Sequence, residues 1–543
     1  MELKTPQTVN TDVLVIGGGA AGLRAAIEAK KHVLNVVLLS ESPVGFRNNT
    51  AISGGVFAAS GIWKGTGDSP EVYFRDTVTG GRLINDQRLV DVMTRGATQQ
   101  VYDLMQFGVN FEKQDGDLKV QHSPGHTYPR QVGVKAGISL TRPMREYAAS
   151  MGVQFEEGIL VTKLLKVGDM VAGVLGIDDK GQVLVLKAKS TILATGGAGE
   201  LYLRSDNALG TTGDGYALAY EIGASLRDMD FVQFYPTALG EYARKTCDYG
   251  ILVSQGAIIR NSLGKDILEK YGMKELKLMT RDILSRAIMI EIAENRGIEG
   301  NLALDFSGIP EEESKTVRQF THSRYYPEKV LVASTAHFFM GGVEINENCE
   351  TEFDGLYAAG EVCGGTHGAN RIEGNALTET LVFGTIAGDR AAARATKMKQ
   401  IPAPDSQVAA EVERLRDLVS HQGRENLNEL QQSLKRTMWH KVGVIRNGKG
   451  LADAQREILA LREQLRAVSP ADCRQLSQVI KLGNMLTVSE MVCKAALART
   501  ESRGAHYRTD YPEQNDAQWL KTIEVCCHNG EMTLRAVPVN SDK

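Results

Sequence analysis

The first part of the chain alternates short apolar runs with amphipathic stretches. Asp12–Gly22 reads DVLVIGGGAAG, an apolar run that ends in closely spaced glycines, and Val36–Leu39 is a second apolar run. Turn residues separate three further runs that read as successive β-strands, at Leu160–Val167, Met170–Ile177 and Gln182–Lys189. Because strands that alternate with helices build layered α/β domains, we expect residues 1–236 to form such a domain.

Farther along the chain the hydrophobic period becomes helical. Met279–Gly297 predicts an amphipathic helix with Thr280 as its N-cap, because apolar residues recur on one side at Ile283, Leu284, Ala287, Ile288 and Ile292. Residues 407–500 are rich in Leu, Glu, Arg and Gln at helical spacing, which predicts a helical bundle. Ile401–Ser406 (IPAPDS) predicts a linker before it, and residues 501–543 are less regular.

Composition and charge exclude several classes of protein. At 543 residues the chain exceeds the size of one hydrophobic core, and its net charge of −4 gives no sign of nucleic-acid binding. No apolar run approaches the roughly 20 residues of a membrane span, and the N-terminal MELKTPQTVN lacks the apolar core of a signal peptide. We therefore expect a cytoplasmic protein without direct membrane insertion.

The cysteines give no sign of a metal centre. Seven are scattered along the chain, and none forms a C-x-x-C pair. This pattern argues against a disulfide framework, a zinc site or an iron–sulfur cluster within the chain, and we predict no metal ligands.

The glycines after the first apolar run have the spacing of a dinucleotide site. Gly17, Gly19 and Gly22 form G-x-G-x-x-G between a predicted strand and a predicted helix. Such glycines permit a tight turn and a close approach of backbone to a pyrophosphate, which the start of the helix then attracts. Ser40 and Glu41 end the next predicted strand, where a ribose-binding residue is expected.

Distant segments strengthen this interpretation and carry a family resemblance. Ile192–Gly197 reads ILATGG and Gly355–Gly365 reads GLYAAGEVCGG. With them, in order, stand Ser40–Gly55, TTGDG at Thr211–Gly215, FVQFYPT at Phe231–Thr237, TRDILSRA at Thr280–Ala287, TAHFFMGG at Thr335–Gly342, HGANRIEGNAL at His367–Leu377 and RTESRGAHYRTDYP at Arg499–Pro512. Over nearly its whole length the chain resembles the fumarate reductase and succinate dehydrogenase flavoproteins, which include L-aspartate oxidase and, more distantly, adenylylsulfate reductase.

The resemblance implies a fold class and a domain order. It implies an α/β fold with a two-dinucleotide-binding-type, Rossmann-like FAD domain, an inserted α+β capping domain and a C-terminal helical domain. We place the parts of the FAD domain at residues 1–236 and 344–400, on either side of a capping domain at 237–343. A helical domain at 401–500 and a C-terminal extension at 501–543 complete the chain.

The resemblance also implies the residues that bind FAD. Glu361 is the acid expected to meet the ribityl chain, and Arg371 is expected near the flavin. The family members of membrane complexes bond flavin covalently to a His in an R-S-H-T stretch; here Arg47–Thr50 reads RNNT, which predicts non-covalent FAD. The predicted cofactor-binding residues are Gly17, Gly19, Ala20, Ala21, Gly22, Ser40, Glu41, Asn49, Thr50, Ser53, Gly54, Gly55, Ala194, Thr195, Gly196, Asp214, Glu361, Arg371, Ala376 and Leu377.

The catalytic residues are carried over in the same way. Arg281 falls where the family places its proton donor, and the start of a helix favours proton loss there. His337 and Arg371 fall where the family grips one substrate carboxylate. The local sequence leaves other readings open, in which Arg281 pairs with Asp282 and His337 is a core histidine.

Several positions depart from the family pattern on the side of the second carboxylate. Tyr235 replaces a His, Ser254 a Thr and Gln255 a Glu, and Ile258 replaces an Arg of the proton relay. Neither Gln255 nor Ile258 can relay a proton, and Arg260 or Tyr235 are the candidate substitutes. We predict that Tyr235, Ser254, Gln255, His337 and Arg371 bind a substrate with one carboxylate that is not simply fumarate or succinate.

These features lead to one main hypothesis and three alternatives. The main hypothesis is a flavoprotein subunit that transfers hydride between flavin N5 and a C=C or C–C bond next to a carboxylate. It needs an iron–sulfur or other electron-transfer partner, because the chain itself shows no carrier beyond the flavin. The alternatives are an L-aspartate-oxidase-like enzyme, an adenylylsulfate-reductase-like enzyme and an electron-transfer subunit without organic substrate.

Overall fold

The computed structural model describes most of the chain. It describes residues 3–32, 34–62, 65–240, 243–247, 249–273, 275, 279–307, 309, 330–399, 405–420, 423 and 425–539, without the side chains of Ile251 and Ser254. The predicted contact of Ser254 with substrate and most of the predicted linker therefore lie outside the described residues.

The strands occur in several sheets. In chain order they are β1 (Gln7–Ile16), β2 (Val36–Ser40), β3 (Val56–Ala58), β4 (Lys113–Gln114), β5 (Asp117–Leu118), β6 (Val120–Gln121), β7 (Gln131–Gly133), β8 (Gln154–Glu157), β9 (Ile159–Val167), β10 (Met170–Asp178), β11 (Val183–Leu193), β12 (Leu226–Arg227), β13 (Val232–Leu239), β14 (Ile258–Arg260), β15 (Leu302–Asp305), β16 (Val330–Phe339), β17 (Gly342–Val343), β18 (Leu356–Ala358), β19 (Lys521–His528) and β20 (Glu531–Pro538).

The helices fill the intervals and dominate the C-terminal region. They are α1 (Ala20–Lys30), α2 (Asn49–Ile52), α3 (Pro70–Gly80), α4 (Gln87–Gln106), α5 (Ile138–Ser150), α6 (Asp214–Glu221), α7 (Tyr249–Ser254), α8 (Ile267–Lys270), α9 (Arg281–Ala293), α10 (Asn375–Lys397), α11 (Asp405–Ser420), α12 (Leu427–Lys441), α13 (Gly448–Leu465), α14 (Cys473–Ala498) and α15 (Asp516–Trp519).

The main sheet contains the predicted nucleotide-binding strands. Its order is β8-β2-β1-β11-β10-β9, and β18 pairs with β11. β1 lies between β2 and β11 and is parallel to both. Its residues Val13–Ile16 are buried, as expected for a strand covered on both faces. The predicted strands at 160–189 are confirmed as β9, β10 and β11, which form an antiparallel extension of the same sheet.

Close packing of two helices joins the first and last parts of this domain. α1 follows β1 directly, and α10 lies against it. A Cβ added at Gly384 or Gly388 of α10 would come within 2.9 Å of Ala21 O or 2.4 Å of Ala25 O, respectively. Because these two glycines have no side chains, α10 can lie close to α1. This packing brings the segment before α10 close to the end of β1.

The inserted segment has a core of its own. β13, β16, β15 and β14 form an antiparallel sheet in that order, and α9 packs on β13 and β16. A separate apolar cluster, which extends from Tyr235 to Val332 in the sequence, fills the space between them. The predicted helix at 279–297 is confirmed as α9, and Thr280 occupies its N-cap position without a side-chain cap hydrogen bond.

The C-terminal region combines helices with a small sheet. α11–α14 lie in the segment where the periodicity predicts helices. The last residues instead form the hairpin β19–β20, which pairs with β12 of the first part of the chain. This hairpin was not predicted, although Asn529–Gly530 and the alternation of Met532, Leu534 and Ala536 with polar residues are typical of a hairpin. The proposed domain boundaries remain predictions.

Gly22 offers a test of the turn that connects β1 to α1. A Cβ at Gly22 would lie 1.9 Å from the carbonyl oxygen of Gly17, and this rigid backbone would have to move. We expect Gly22→Ala to weaken FAD binding by at least about tenfold, measured by titration of the FAD-free protein. Gly133→Ala is the control, because its Cβ would meet only ordinary contacts of 3.6 Å or more. Equal affinities of the two variants would contradict this account.

Candidate active site

One cavity gathers almost all of the predicted site residues. It measures about 600 Å³ and lies where the end of β1, the loop after β18, and the inserted sheet meet. The lining contains every predicted cofactor-binding residue except Gly22, together with Tyr235, Arg281, His337 and Arg371. Segments more than 300 residues apart in the sequence thus meet around a space of the size that proteins use for cofactors.

The end of the cavity at β1 has the geometry of a dinucleotide site. Gly17 has φ +123°, and a Cβ there would lie 2.1 Å from Ala194 O. Gly19 is the N-cap of α1, whose first amides therefore face the cavity. Gly22 does not line the cavity but packs directly on Gly17, which is the role that such motifs give the third glycine.

The lining residues are suited to binding FAD. A Cβ added at Gly54 or at Gly196 would meet no heavy atom within 4 Å, although both glycines line the cavity. Ser40 is buried at the end of β2, and Glu41 beside it forms an ion pair of 2.5 Å with Lys481 of α14. Backbone-lined space beside a helix start suits a pyrophosphate, and the polar groups after β2 suit a ribose.

Asn49 occupies the position of the family's flavin-bonding histidine and is fully engaged. Its Nδ2 donates to Asn207 Oδ1 (2.8 Å) and Glu361 Oε2 (3.2 Å), and its Oδ1 accepts from the amide of Ala208 (2.9 Å). Glu361 Oε1 also accepts from the amide of Phe339 (3.1 Å). Asn49 therefore fixes a buried acid from the side on which the family's covalent members carry a nucleophilic imidazole.

Two buried arginines stand at the other end of the cavity and share one amide. Arg371 Nη2 donates to Gln233 Oε1 at 2.9 Å, and Arg281 Nη1 donates to the same oxygen at 3.4 Å. Gln233 Nε2 in turn donates to Asn370 Oδ1 and Arg371 O, which fixes the orientation of its amide. Arg371 Nε is buried without a hydrogen-bond partner among the described residues, so it is open to an anionic ligand.

The two guanidinium groups differ in electrostatic setting. Burial, together with the positive charge of Arg281, lowers the pKa of Arg371 to about 9. Burial also lowers the pKa of Arg281, but Glu373, 3.4 Å from Arg281 Nη2, and neighbouring phenols outweigh it and leave the pKa above its ordinary value. The expected easing of proton loss by the helix start is therefore opposed by a carboxylate. Asp282 pairs with Arg82 instead, so the alternative pairing of Arg281 with Asp282 is wrong.

His337 is oriented by a carboxylate. Its Nδ1 lies 2.7 Å from Asp206 Oδ2. Burial lowers the pKa of His337, with smaller contributions from Arg281 and Arg371, while Asp206 raises it. When the ring is neutral and donates a hydrogen bond from Nδ1 to Asp206, its Nε2 points away from Asp206 and acts as a hydrogen-bond acceptor. Because His337 lines the cavity and has this partner, the structure favours the site reading over a core histidine.

The positions that depart from the family pattern separate into two groups. The ring of Tyr235 lies under Arg281, 4.8 Å from the guanidinium carbon, and its hydroxyl donates to Cys247 O. Gln255 lies in the exposed turn after α7, outside the lining of the cavity, so its contact with substrate stays a prediction. Arg260 pairs with Asp305 at 2.8 Å on the inserted sheet and also lies outside the lining. The structure therefore favours Tyr235 over Arg260 as a neighbour of Arg281.

Several polar residues of the lining were not among the predicted site residues. Four of them lie near the predicted catalytic residues or hold their neighbours: Asp206, Asn207, Arg244 and Glu373. Arg244 pairs with the buried Glu200 at 2.6 Å, and Asn207 holds both Asn49 and the carbonyl of His337. Of these four, only Glu373 lay within a segment that carried the family resemblance, two residues after Arg371 in the NRIEGN stretch.

Family comparison agrees with this geometry. A family model described as an FAD binding domain matches residues 12–377, and one described as a fumarate reductase flavoprotein C-term matches residues 431–543. The chain belongs to the fumarate reductase and succinate dehydrogenase flavoprotein family. It is an FAD-dependent oxidoreductase, and the predicted family and fold class are confirmed.

Relatives match over nearly their whole length. An uncharacterized FAD-dependent oxidoreductase of Methanocaldococcus jannaschii is 37% identical over 95% of this chain and 96% of its own. One of the subunits of the CoM/CoB fumarate reductase of Methanothermobacter marburgensis is 35% identical over 94% of this chain and 96% of its own. This flavoprotein therefore lies within a family of oxidoreductase subunits.

Solved structures place the fold in the same family. The flavoprotein of E. coli quinol fumarate reductase, solved as a Glu-to-Gln mutant, has 29% identity and a TM-score of 0.91 over 98% of this chain and 97% of that one. Adenylylsulfate reductase of Archaeoglobus fulgidus, 21% identical with a TM-score of 0.81 over 99% and 98% of the two chains, shares the fold. Within the described residues, no helix of this flavoprotein has the length and apolar character of a membrane span.

Glu361 makes the stability of the FAD-free protein depend on pH. Burial raises its pKa to about 7 from an ordinary value of 4.5. When a carboxyl group has a higher pKa in the folded than in the unfolded protein, the free energy of unfolding falls as the pH rises from the unfolded-state pKa to the folded-state pKa. For Glu361 this loss is on the order of 3 kcal/mol. We expect the melting temperature of Glu361→Gln, relative to wild type, to rise between pH 5 and pH 8. An unchanged difference in thermal denaturation would contradict this.

Proposed function

We propose that this flavoprotein reduces the C=C bond of an α,β-unsaturated acid that carries one carboxylate, and that it works in complex with an electron-transfer partner. The carrying observation is the buried pair Arg281 and Arg371 at the cavity end opposite the dinucleotide-binding turn. Bound FAD supplies the hydride, and the residues described here hold the acid and supply the proton.

The charges around the pair support a substrate with a single carboxylate. Arg281 and Arg371 contribute two positive charges, and Asp206 and Glu373 contribute two negative charges to the same region. The region thus has no formal excess of positive charge, while its burial makes each added charge costly. One carboxylate gains the contacts of Arg371 and His337, but for a second carboxylate the described residues leave no unpaired cation beside the two arginines.

The side chains define the roles. His337 and Arg371 would hold the carboxylate and stabilise negative charge that develops next to it. Arg281, fixed by Gln233 and by the ring of Tyr235, would deliver a proton to the adjoining carbon. The inserted segment that carries Arg281 lines one side of the site, where it would limit the access of water to the bound acid.

A second candidate is fumarate itself, because relatives at 35% identity and below are named as fumarate reductase subunits. An oxidase like L-aspartate oxidase is a third candidate, and a flavoprotein that only transfers electrons is a fourth. An adenylylsulfate-reductase-like reaction is disfavoured by the retained TRD and AHFFMGG segments. A non-covalent flavin favours the reductive direction, because covalent attachment tends to raise flavin potential. An iron–sulfur protein is the partner that the resemblance implies.

Acid precipitation tests the attachment of the cofactor. Because Asn49 offers no nucleophilic ring nitrogen and its amide is engaged by four partners, we expect all FAD to appear in the supernatant after denaturation with trichloroacetic acid. The measurement is the flavin absorbance of supernatant and pellet. A yellow pellet would contradict non-covalent binding.

A matched pair of acids tests the substrate. Monomethyl fumarate and fumarate share one reacting bond and differ by one carboxylate. We expect monomethyl fumarate to reoxidise the anaerobic, photoreduced protein at least about tenfold faster at equal subsaturating concentration. Rapid turnover with tightly bound fumarate would establish the second candidate. Reoxidation by air alone would support an oxidase, and reoxidation only by a partner protein would support a flavoprotein that only transfers electrons.

A further inference from the structure

Glu373 contacts the predicted proton donor from the side away from Gln233. Its Oε1 lies 3.4 Å from Arg281 Nη2, and its side chain is 24% exposed, whereas that of Arg281 is 8% exposed. This carboxylate thus joins a buried guanidinium to the solvent. No other acidic side chain forms an ion pair with Arg281 within the part of the chain that the structure describes.

A second, small cavity lies behind the same two residues. It measures about 10 Å³, room for about one water molecule, and its lining includes Tyr249, Thr280, Arg281 and Glu373. Thr280 Oγ1 is buried and makes no hydrogen bond to any described residue. Thr280, Arg281 and Glu373 therefore all border this small space.

A buried network fixes the backbone of Glu373. His126 Nε2 lies 2.7 Å from Glu373 O, and His126 Nδ1 lies 3.0 Å from Arg130 Nη1. Arg130 is paired with Asp68 and Asp76, each at 2.7 Å. Since the guanidinium donates to Nδ1, the ring hydrogen stands on Nε2 and is donated to the carbonyl of Glu373. Burial and Arg130 lower the pKa of His126 to about 3, which keeps this ring neutral.

The proton relay that leads to the proton donor in the family is interrupted in this chain. The family's relay positions hold Gln255 and Ile258, neither of which can pass a proton. Arg260, the substitute considered from the sequence, is paired with Asp305 on the inserted sheet. After Arg281 gives up a proton, some other group must replace it before the next turnover.

We propose that Glu373 returns the proton to Arg281 after each turnover and so takes the place of the relay that Gln255 and Ile258 interrupt. This inference rests on the proposed role of Arg281. It does not require Glu373 to touch the substrate, because the residue acts through Arg281.

The step balances in the reductive direction. An N–H bond of Arg281 breaks as a C–H bond forms beside the substrate carboxylate, and hydride from reduced FAD reaches the other carbon. The carboxylate of Glu373 then takes a proton from solvent and passes it to the neutral guanidine, which returns both groups to their charged resting forms. Each double bond thus receives one hydride and one proton, and the electrons come from an external donor.

The relay predicts a difference between the first turnover and later ones. Arg281 is already protonated in the resting protein, so we expect Glu373→Gln to reoxidise in a first turnover within about twofold of wild type. Steady-state turnover with reduced viologen as donor should fall at least about tenfold and show a larger solvent deuterium isotope effect. The acid is whichever of monomethyl fumarate and fumarate reoxidises wild type faster.

Control variants separate a relay from a structural effect. Glu373→Asp should recover part of the steady-state rate, because it keeps the carboxyl group. Glu28→Gln removes a carboxylate from the remote buried Arg24, at 2.7 Å, and should leave both rates unchanged. Binding of the saturated counterpart of the chosen acid (monomethyl succinate or succinate), followed by flavin absorbance, should change by no more than about twofold in Glu373→Gln if the site keeps its shape.

The outcomes distinguish this inference from the proposed function. If neither acid reoxidises wild type, or if Arg281→Gln keeps its turnover, the proposed function or its proton donor is wrong. If Arg281→Gln is inactive and Glu373→Gln matches wild type in steady state, only the relay is wrong. Equal slowing of the first and later turnovers of Glu373→Gln would also overturn the relay, because it would mean that the residue only positions Arg281.

Discussion

The burial of two like charges side by side is the constraint on which this site depends. Arg281 and Arg371 share the oxygen of Gln233 in a region that is almost closed to solvent. Two guanidinium groups in such a setting repel each other and lose hydration, and they are tolerated only with anions nearby. Glu373 and the Asp206–His337 pair supply part of this compensation, and a carboxylate ligand supplies the rest.

This constraint connects the fold to the chemistry. Arg371 reaches the site because α10, which begins at Asn375, packs closely on α1 through Gly384 and Gly388. Arg281 reaches it from the inserted sheet, whose strand β13 carries Gln233 and Tyr235. The dinucleotide-binding turn and the charged pair are therefore ends of one cavity, and a shift of either helix would change both.

Two positions that depart from the family pattern, Asn49 and Tyr235, make well-defined contacts in this structure. The amide of Asn49 forms hydrogen bonds with four polar partners, including the buried acid Glu361. The phenol of Tyr235 covers the guanidinium of Arg281 with its ring and binds the backbone with its hydroxyl. A polar group that is buried away from water is stable only when it is hydrogen-bonded. The hydrogen bonds of these two residues therefore agree with an active enzyme that has an altered substrate.

The sequence by itself determined the family, the nucleotide-binding turn and about half of the cavity lining, because glycine spacing and local motifs can be recognised within short segments. It also identified α9 and the strands β9–β11 from their hydrophobic period. The tertiary structure alone decided that Arg281 pairs with Glu373 and not with the adjacent Asp282, that Asp206 orients His337, and that the C-terminal hairpin joins β12. Those contacts join distant segments, and the partner of a buried charge is set by which side chains the fold brings within a few ångströms of it, which no local pattern encodes.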